Sequence, residues 1–292
     1  MRKSLYLVLS LLVAMSLGAA FLNCGDDGDD VCECEGGAEC CDECPDCAEG
    51  MRCNFMTGEC GDCCADAPEN EVHIWVSGKV VDMTTQEGVK VALTPISPMD
   101  ALTGEDPTHL DDQVSGDDGL FKTNCFDVTT VTLGCVMLTD DENFDGTGGT
   151  YFPSGTGVKA WGPDKKERYC VEEAKVFAVP NTLVAALDGY TSVDSAEGFV
   201  MGFVVDATFT PVADAVVKKE DGTDLNEVIY PNATFTDFSG TATSATGIFV
   251  LPDTSFPAGL DSITAEKTGM TFGVEQAATK DGFCYFTFIQ AE

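Results

Sequence analysis

An internal repeat limits how this chain can fold more than any other feature of its sequence. The first copy contains VSGKVVD at 76–82 and DDGLF at 117–121, and the second contains VMGFVVD at 200–206 and ATGIF at 245–249. In each copy, alternating apolar residues are followed by Asp and Thr with Gly or Pro, a pattern typical of a β-hairpin. Two copies of one order of elements predict two domains of the same type.

Many short strand patterns and the lack of any long helical pattern predict an all-β fold of two tandem antiparallel β-sandwiches. The Gly of each Gly-x-Phe triplet marks a tight turn before an inward-facing aromatic residue. A short helix over 181–189 is expected in the connector between the sandwiches. The predicted organisation is a signal peptide over 1–23, an acidic cysteine-rich neck over 24–71, a first sandwich over 72–180, a connector over 181–197 and a second sandwich over 198–292.

The repeated Val-x-Gly-x-Val-Val-Asp and Gly-x-Phe motifs resemble the carboxypeptidase regulatory-like domain, over about residues 73–179 and 198–290. The second copy fits better, with Pro211 and Ala215 in place, whereas the first has Gln86 and Glu87 where the motif has Pro. The resemblance implies a transthyretin-like or immunoglobulin-like sandwich with no catalytic residues of its own. Such domains are spacers, docking modules, or modules that bind glycans or proteins.

The first residues resemble a bacterial lipoprotein signal: two basic residues, an apolar run over 5–22, and then Cys24 followed by Gly-Asp-Asp. The resemblance implies that Cys24 is acylated, with palmitate among the acyl chains, and holds the protein at the outer membrane or cell surface. Phe21 and Asn23 depart from the usual pattern, which prefers Leu and a small residue there. An ordinary secretory signal cut after residue 19 or 20, or an uncleaved anchor helix, are the alternatives.

The cysteine count also indicates export. Of the 15 cysteines, Cys24 is set aside for lipid, and the other fourteen divide into ten in the neck and four in the folded part. Even groups are typical of disulfides formed in an oxidising compartment. If the four all pair, one bridge must cross between domains because Cys284 lies in the second. The disulfide candidates are Cys32, Cys34, Cys40, Cys41, Cys44, Cys47, Cys53, Cys60, Cys63, Cys64, Cys125, Cys135, Cys170 and Cys284.

The neck has sixteen acidic residues, one basic residue (Arg52) and almost no aliphatic side chains. A segment of this composition cannot build an apolar core, so it is cross-linked, metal-bound or disordered. The spacing of Cys44-x-x-Cys47 and Cys60-x-x-Cys63 suits a zinc ribbon. Six further cysteines interleave with these four, which favours disulfides and a stiff stalk, with zinc as the alternative.

The loop over 140–146 is the sharpest candidate binding site. Asp141, Asn143 and Asp145 alternate and are followed by Gly146, as in the first half of an EF-hand calcium loop. The Glu expected six places after the glycine is absent, because that position is Phe152. The loop is therefore either a weak calcium site or a solvated acidic turn; apart from this possible calcium, no cofactor of the folded part is expected.

Four aromatic residues, Trp75, Tyr151, Phe152 and Trp161, either form a platform for a sugar or belong to the core. This choice matters because a sugar platform would place the ligand on the first sandwich. Core packing is the commoner role of such residues, and the sequence leaves both alternatives open.

The formal net charge of −35 excludes sequence-independent binding to nucleic acid, which needs clustered Lys and Arg. The two histidines, His73 and His109, fit no metal motif, and no nucleophile elbow or phosphate-binding loop is present. We therefore expect a non-catalytic, membrane-anchored envelope or surface lipoprotein that acts as a binding or structural module for a protein or polysaccharide partner. The alternative is an envelope protein that binds calcium at Asp141–Asp145 or zinc in the neck, and an envelope hydrolase is disfavoured.

Overall fold

The computed structural model describes residues 52–54, 59–61, 64, 68, 71–103, 108–130, 134–141, 149–158, 170–256 and 260–292. The leader with Cys24, most of the neck, and Asn143, Asp145 and Trp161 lie outside these ranges. The described residues form short strands and only two α-helices, which confirms the all-β prediction. None of the helices in the described ranges has the length and apolarity to cross a membrane.

The strands and helices fall into three groups along the chain. The neck contributes β1 (Arg52–Asn54) and β2 (Glu59–Gly61). The first repeat contains β3 (His73–Ile74), β4 (Val76–Asp82), β5 (Ala92–Ile96), α1 (Pro98–Thr103), β6 (Gln113–Val114), β7 (Leu120–Lys122), β8 (Phe126–Asp127), β9 (Cys135–Asp140), β10 (Tyr151–Phe152), β11 (Ser154–Val158) and β12 (Val171–Pro180). The connector helix α2 (Asn181–Tyr190) precedes the second repeat, which contains β13 (Phe199–Val205), β14 (Val216–Lys219), β15 (Ile248–Pro252), a 3₁₀ turn (Asp253–Ser255), β16 (Leu260–Glu266), β17 (Glu275–Ala278) and β18 (Cys284–Gln290).

Each repeat forms a sandwich, and the two sandwiches have the same strand order. The sheet β12-β4-β7 of the first repeat corresponds to β18-β13-β15 of the second, and β5-β9-β11 corresponds to β14-β16-β17. In both repeats the last strand runs parallel to the first, while the other ladders within the sandwich are antiparallel. The sequence repeat therefore corresponds to a repeated strand order. The sandwiches contain both parallel and antiparallel ladders, whereas the sequence predicted antiparallel ones.

The two copies also share a hydrogen bond that joins strand β4 or β13 to the glycine immediately before β7 or β15. The amide of Val80 donates to the carbonyl of Gly119, and that of Val204 donates to Gly247, both at 2.8 Å. The two glycines have φ of +82° and +69°, and a Cβ added to either would lie within 2.5 Å of the carbonyl oxygen of Val80 or Val204. The glycine of the Gly-x-Phe motif is required both by its positive φ and by this close approach.

The aromatic residue that follows each of these turns, Phe121 or Phe249, is buried in its own sandwich, as predicted. The earlier glycine of each copy has a different reason. A Cβ at Gly78 would meet the carbonyl oxygen of Ala174 at 1.9 Å, and one at Gly202 would meet the ring of Phe249 at 2.0 Å. The same motif position thus accommodates a backbone in one repeat and an aromatic ring in the other.

Aspartates form a recurrent turn in which the carboxylate accepts both the backbone N–H and the hydroxyl of a Thr or Ser two residues later. These local hydrogen bonds stabilise the loops between strands. Part of the acidic composition therefore serves loop structure. Among the described residues, the aspartates in this arrangement are Asp82, Asp127, Asp206, Asp221 and Asp237.

Three hydrophobic clusters account for the interior. One lies within the first sandwich, one is built mainly from the second, and the third contains residues of both repeats together with α2. The connector helix places Leu183, Val184 and Leu187 on one buried face, the spacing of an amphipathic helix. The short helix expected in the connector is confirmed, and it packs between the repeats.

Candidate functional site

The repeats are joined edge to edge by a parallel ladder between β11 and β18. Gly155 lies opposite Tyr285 and Thr156 lies opposite Phe286, and the result is one seven-stranded sheet of order β15-β13-β18-β11-β9-β5-β6. Each of the two joined strands is otherwise the edge of its own sheet. An exposed sheet edge is a site for pairing with other chains, so the junction, called here the seam, covers two such edges.

A group of phenylalanines, called here the seam cluster (Phe177, Phe203, Phe286 and Phe288), packs beside this ladder. Phe177 comes from β12 of the first repeat and the other three from the second. The ring of Phe177 lies 4.9 Å from Phe286, 5.2 Å from Phe203 and 6.2 Å from Phe288, measured between centroids. Only 3% of Phe177 is exposed. The face of the first sandwich that carries this residue is therefore buried against the second repeat.

Two buried threonines bond the backbone of β12 at the seam. The amide of Phe177 donates to the hydroxyl of Thr156 at 3.1 Å, and the hydroxyl of Thr139 donates to the carbonyl of Phe177 at 3.2 Å. Among the described strands, β10 pairs with β12 only at Val179 and Pro180. The backbone of Phe177 lies beyond that pairing, and the two threonines bond it instead. Buried backbone groups require such partners, so the threonines make close packing of the repeats possible.

A further bond crosses between the repeats on the opposite face of the sheet. The hydroxyl of Tyr285 donates to the carbonyl of Ala101 in α1 at 2.5 Å. Helix α1 begins at Pro98, and the hydroxyl of Ser97 accepts the amide of Asp100 at 3.0 Å as an N-cap. Burial raises the pKa of Tyr285, so the phenol keeps the proton that it donates.

One end of the seam cluster is open to solvent. Phe203 and Phe288 are half-buried, with centroids 5.3 Å apart and planes inclined by 12°. The amine of Lys175 lies 5.3 Å from the centroid of Phe177 in the same cluster and donates to the side-chain oxygen of Gln86 at 2.9 Å. Burial lowers the pKa of Lys175. Half-buried rings can stack on a flat apolar surface, and an amine in the same cluster can attract an anionic group.

The predicted calcium loop is described only at its first ligand. Asp141 follows β9, and one of its carboxylate oxygens accepts the amide of Tyr151 at 2.8 Å. Its own amide donates to the carboxylate of Asp140 at 2.8 Å. Asp141 thus closes the base of the loop, and the calcium site of Asp141, Asn143 and Asp145 stays a prediction.

The disulfides differ from the grouping drawn from the sequence. Cys64 of the neck is bonded to Cys125 of the first sandwich, with Cα atoms 5.7 Å apart. The cysteines therefore do not pair within two separate groups. Cys170 is also disulfide-bonded. Cys135 and Cys284, both disulfide candidates from the sequence, are buried free thiols.

Strand register explains why Cys135 and Cys284 do not bond to each other. Cys135 lies opposite Val158 of β11, whereas Cys284 lies opposite Ser154 on the other side of the same strand. They are separated by two inter-strand spacings and by four residues of strand, or about 16 Å. A disulfide requires Cα atoms within about 7 Å. The other predicted cysteines of the neck lie outside the residues whose side chains are described.

Among the described members of the aromatic platform considered from the sequence, Trp75 lies far from Tyr151. The carbonyl of Trp75 accepts the amide of Val171 at the start of β12, and Tyr151 lies opposite Pro180 at its end. Nine residues of strand separate these points by about 30 Å. Trp75 packs on the first core with the amine of Lys122 4.0 Å from its ring centroid, so it serves the core rather than a shared sugar site.

A group of potential metal ligands lies where the neck enters the first sandwich. His73 of β3 is opposite Asp127 of β8, and Glu71 precedes His73 by two residues. The Nε2 atom of His73 lies 2.7 Å from a carboxylate oxygen of Glu71, and one donor atom from each of the three side chains lies within 4.8 Å of the others. The sequence shows only the Glu-x-His half, because the strand pairing that adds Asp127 is not visible in it.

Comparison with known proteins gives only weak similarities. No protein-family model matches the chain, and no curated protein matches it. The shaft pilin SpaA of Lactobacillus rhamnosus GG is 10% identical with a TM-score of 0.21, over 76% of this chain and 98% of the pilin. The minor pilin of Streptococcus agalactiae is 11% identical with a TM-score of 0.23, over 74% of this chain and 94% of that one. The Bacillus anthracis TIE protein is 11% identical with a TM-score of 0.22, and the match spans 75% of this chain and 34% of that protein. These TM-scores are too low to show a shared fold, so the fold is described by the strand order of this chain alone.

Proposed function

We propose that the chain is a non-catalytic, lipid-anchored module of the cell envelope or cell surface, built from two carboxypeptidase regulatory-like sandwiches that act as one stiff body. The seven-stranded sheet that crosses the seam is the observation that carries this proposal. Domains joined only by a linker move relative to each other. Here a strand ladder, the seam cluster and the Tyr285–Ala101 bond resist such motion, which suits a spacer or a display platform.

The neck completes the proposed architecture. Acylation of Cys24 would hold the chain at the membrane, and a disulfide-rich acidic stalk would lift the sandwiches away from it. The bridge between Cys64 and Cys125 supports this arrangement, because it ties the end of the neck to the first sandwich rather than leaving a free linker. We place the protein at the outer membrane or the cell surface.

The proposed partner is a neighbouring envelope protein or a polysaccharide. The open end of the seam cluster supports this choice, since Phe203 and Phe288 are half-buried and the amine of Lys175 lies 5.3 Å from the ring of Phe177 in the same cluster. A glycan array and crosslinking in intact cells, each done with the parent and with a Phe203→Ala, Phe288→Ala variant, test it. Loss of a specific signal in the variant supports binding at this surface, and an unchanged signal places binding elsewhere.

Metabolic labelling with a fatty acid tests the anchor. The full chain with its leader is expressed in cells given an alkyne-bearing palmitate, and labelled protein is followed into the membrane fraction. We expect Cys24→Ser to abolish labelling and release the protein, and Cys32→Ser, a neck cysteine with no predicted lipid, to leave both unchanged. Membrane retention of unlabelled Cys24→Ser would instead indicate an uncleaved anchor helix. Secretion of the unlabelled parent chain would indicate an ordinary signal peptide.

Metal binding is the second candidate function, favoured by the position of Asp141 at the base of the acidic loop. If the loop binds calcium, millimolar calcium raises the melting temperature of the parent chain and not that of Asp141→Asn, Asp145→Asn. The Asn substitutions keep an oxygen that can accept the Tyr151 amide. No rise in the parent chain would remove the calcium hypothesis and leave the loop as a solvated turn.

A further inference from the structure

We propose that Glu71, His73 and Asp127 bind a divalent transition-metal ion of the zinc type at the junction between the neck and the first sandwich. This site is separate from the predicted calcium loop and from the neck cysteines. It does not depend on the proposed function of the seam.

Chain proximity and strand pairing bring the three side chains to one place. Glu71 precedes β3 by two residues, and one of its carboxylate oxygens lies 2.7 Å from Nε2 of His73. Residues directly opposite on paired antiparallel strands have Cβ atoms about 5 Å apart, which brings Asp127 to His73. Donors on a tetrahedral zinc ion lie about 3.3 Å apart, from metal–ligand distances near 2.0–2.2 Å. The observed donor atoms, all within 4.8 Å of one another, need only small side-chain rotations to reach that spacing.

The surroundings hold the Asp127 carboxylate in position. The amide and hydroxyl of Thr129 donate to one oxygen of Asp127 at 2.8 and 2.5 Å, and the amide of Val72 donates to the hydroxyl of Thr129 at 2.8 Å. These bonds fix the Asp127 carboxylate relative to the strand that carries His73. The disulfide between Cys64 and Cys125 ties together the chain segments that precede the two strands. A preformed site loses little side-chain entropy when a metal binds.

The donor types select the class of metal. Calcium and magnesium take oxygen ligands, whereas imidazole nitrogen suits zinc, cobalt, nickel and copper. Two carboxylates offset the charge of a divalent ion, and three protein ligands leave one tetrahedral position for water or a ligand from elsewhere. Since Glu71 is the last residue of the neck, a bound ion would restrain the direction in which the neck leaves the first sandwich.

Cobalt and zinc titrations of the full chain test the proposal. The exported protein is purified with its disulfides formed, stripped of metal with a chelator, and titrated with each metal by absorption spectroscopy and calorimetry. His73→Gln removes the imidazole, Asp127→Asn removes a charge but keeps an acceptor for Thr129, and His109→Gln is the matched control. His109, the other histidine in the chain, pairs with Asp112 at 2.8 Å outside this site.

We expect one ion per chain, a cobalt spectrum without thiolate charge-transfer bands, and an affinity that falls about 10-fold or more in His73→Gln and Asp127→Asn. His109→Gln should bind as the parent does, and all four proteins should melt at the same temperature without metal. Absence of binding by the parent chain, equal loss in His73→Gln and His109→Gln, or thiolate bands unaffected by His73→Gln would each overturn the proposal. The last result would assign the metal to the neck.

Discussion

Replacement of Phe177 by alanine measures how far the two repeats fold as one unit. The side chain belongs to the first repeat, yet its three ring contacts, at 4.9, 5.2 and 6.2 Å, are all with the second. Truncation of a buried phenylalanine costs about 3–5 kcal/mol, from lost burial and the cavity left behind. Because 3% of Phe177 is exposed, we expect Phe177→Ala to lower the free energy of unfolding of the whole chain by this amount.

The size of the effect discriminates between a fused structure and two independent sandwiches. Phe177 points away from the core of the first sandwich, so in an independent domain it would face solvent. An exposed strand position changes stability by no more than about 1 kcal/mol. Urea unfolding followed by tryptophan fluorescence and by circular dichroism separates the cases, because Trp75 and Trp161 both lie in the first repeat whereas circular dichroism reports on both.

In the fused structure, fluorescence and circular dichroism give one coincident transition, and Phe177→Ala shifts both equally. Phe121→Ala, in the core of the first sandwich, is the control and should also move both signals together. Two separate transitions in the parent chain, or a loss below about 1 kcal/mol in Phe177→Ala, would refute the argument that the seam couples the repeats.

Three further predictions concern single positions. Gly202→Ala should destabilise the second sandwich and lower the melting temperature, because the added Cβ would lie 2.0 Å from the buried ring of Phe249; a variant as stable as the parent would contradict this packing. Alkylation followed by peptide mass spectrometry should leave Cys135 and Cys284 unmodified in the folded protein and modify both after denaturation, since both thiols are buried and burial raises the pKa of Cys135 to about 12 and that of Cys284 well above its usual value; resistance of both to alkylation after denaturation would show instead that they are oxidised. Partial burial acts to raise the pKa of Asp206, but hydrogen bonds from nearby threonines outweigh it and lower the pKa below 3.8, so its stabilisation is complete above the unfolded pKa and is lost as pH falls through the folded one. Asp206→Asn should therefore reduce the loss of stability between about pH 5 and pH 2 in urea unfolding, and an unchanged pH dependence would contradict this role.

Much of the fold could be predicted from the sequence because it depends on local chemistry. The alternation around Gly78 and Gly202 predicts strands, and Gly119 and Gly247 predict tight turns, since only glycine adopts those backbone angles without strain. The connector helix was predictable from its short amphipathic run. These signals act over a few residues, so they can be read without knowing which strands pair.

The candidate metal site depends on residues that are distant in the sequence. Glu71 and His73 are two residues apart in the sequence, but Asp127 joins them only through strand pairing. The same holds for Cys64 and Cys125, which the sequence assigns to different groups and the fold brings to a Cα separation of 5.7 Å. Long-range pairs of this kind follow from register, and the sequence does not specify register between distant segments.

The sequence by itself determined that the chain contains two copies of one β-sandwich after an acidic, cysteine-rich segment, because strand alternation, turn glycines and composition are local properties. Only the tertiary structure decided that the copies share a sheet. The β11–β18 ladder and the packing of Phe177 on the second repeat depend on which edge strands meet. The alternation of apolar residues in a strand is the same whether its edge is exposed or paired with another strand.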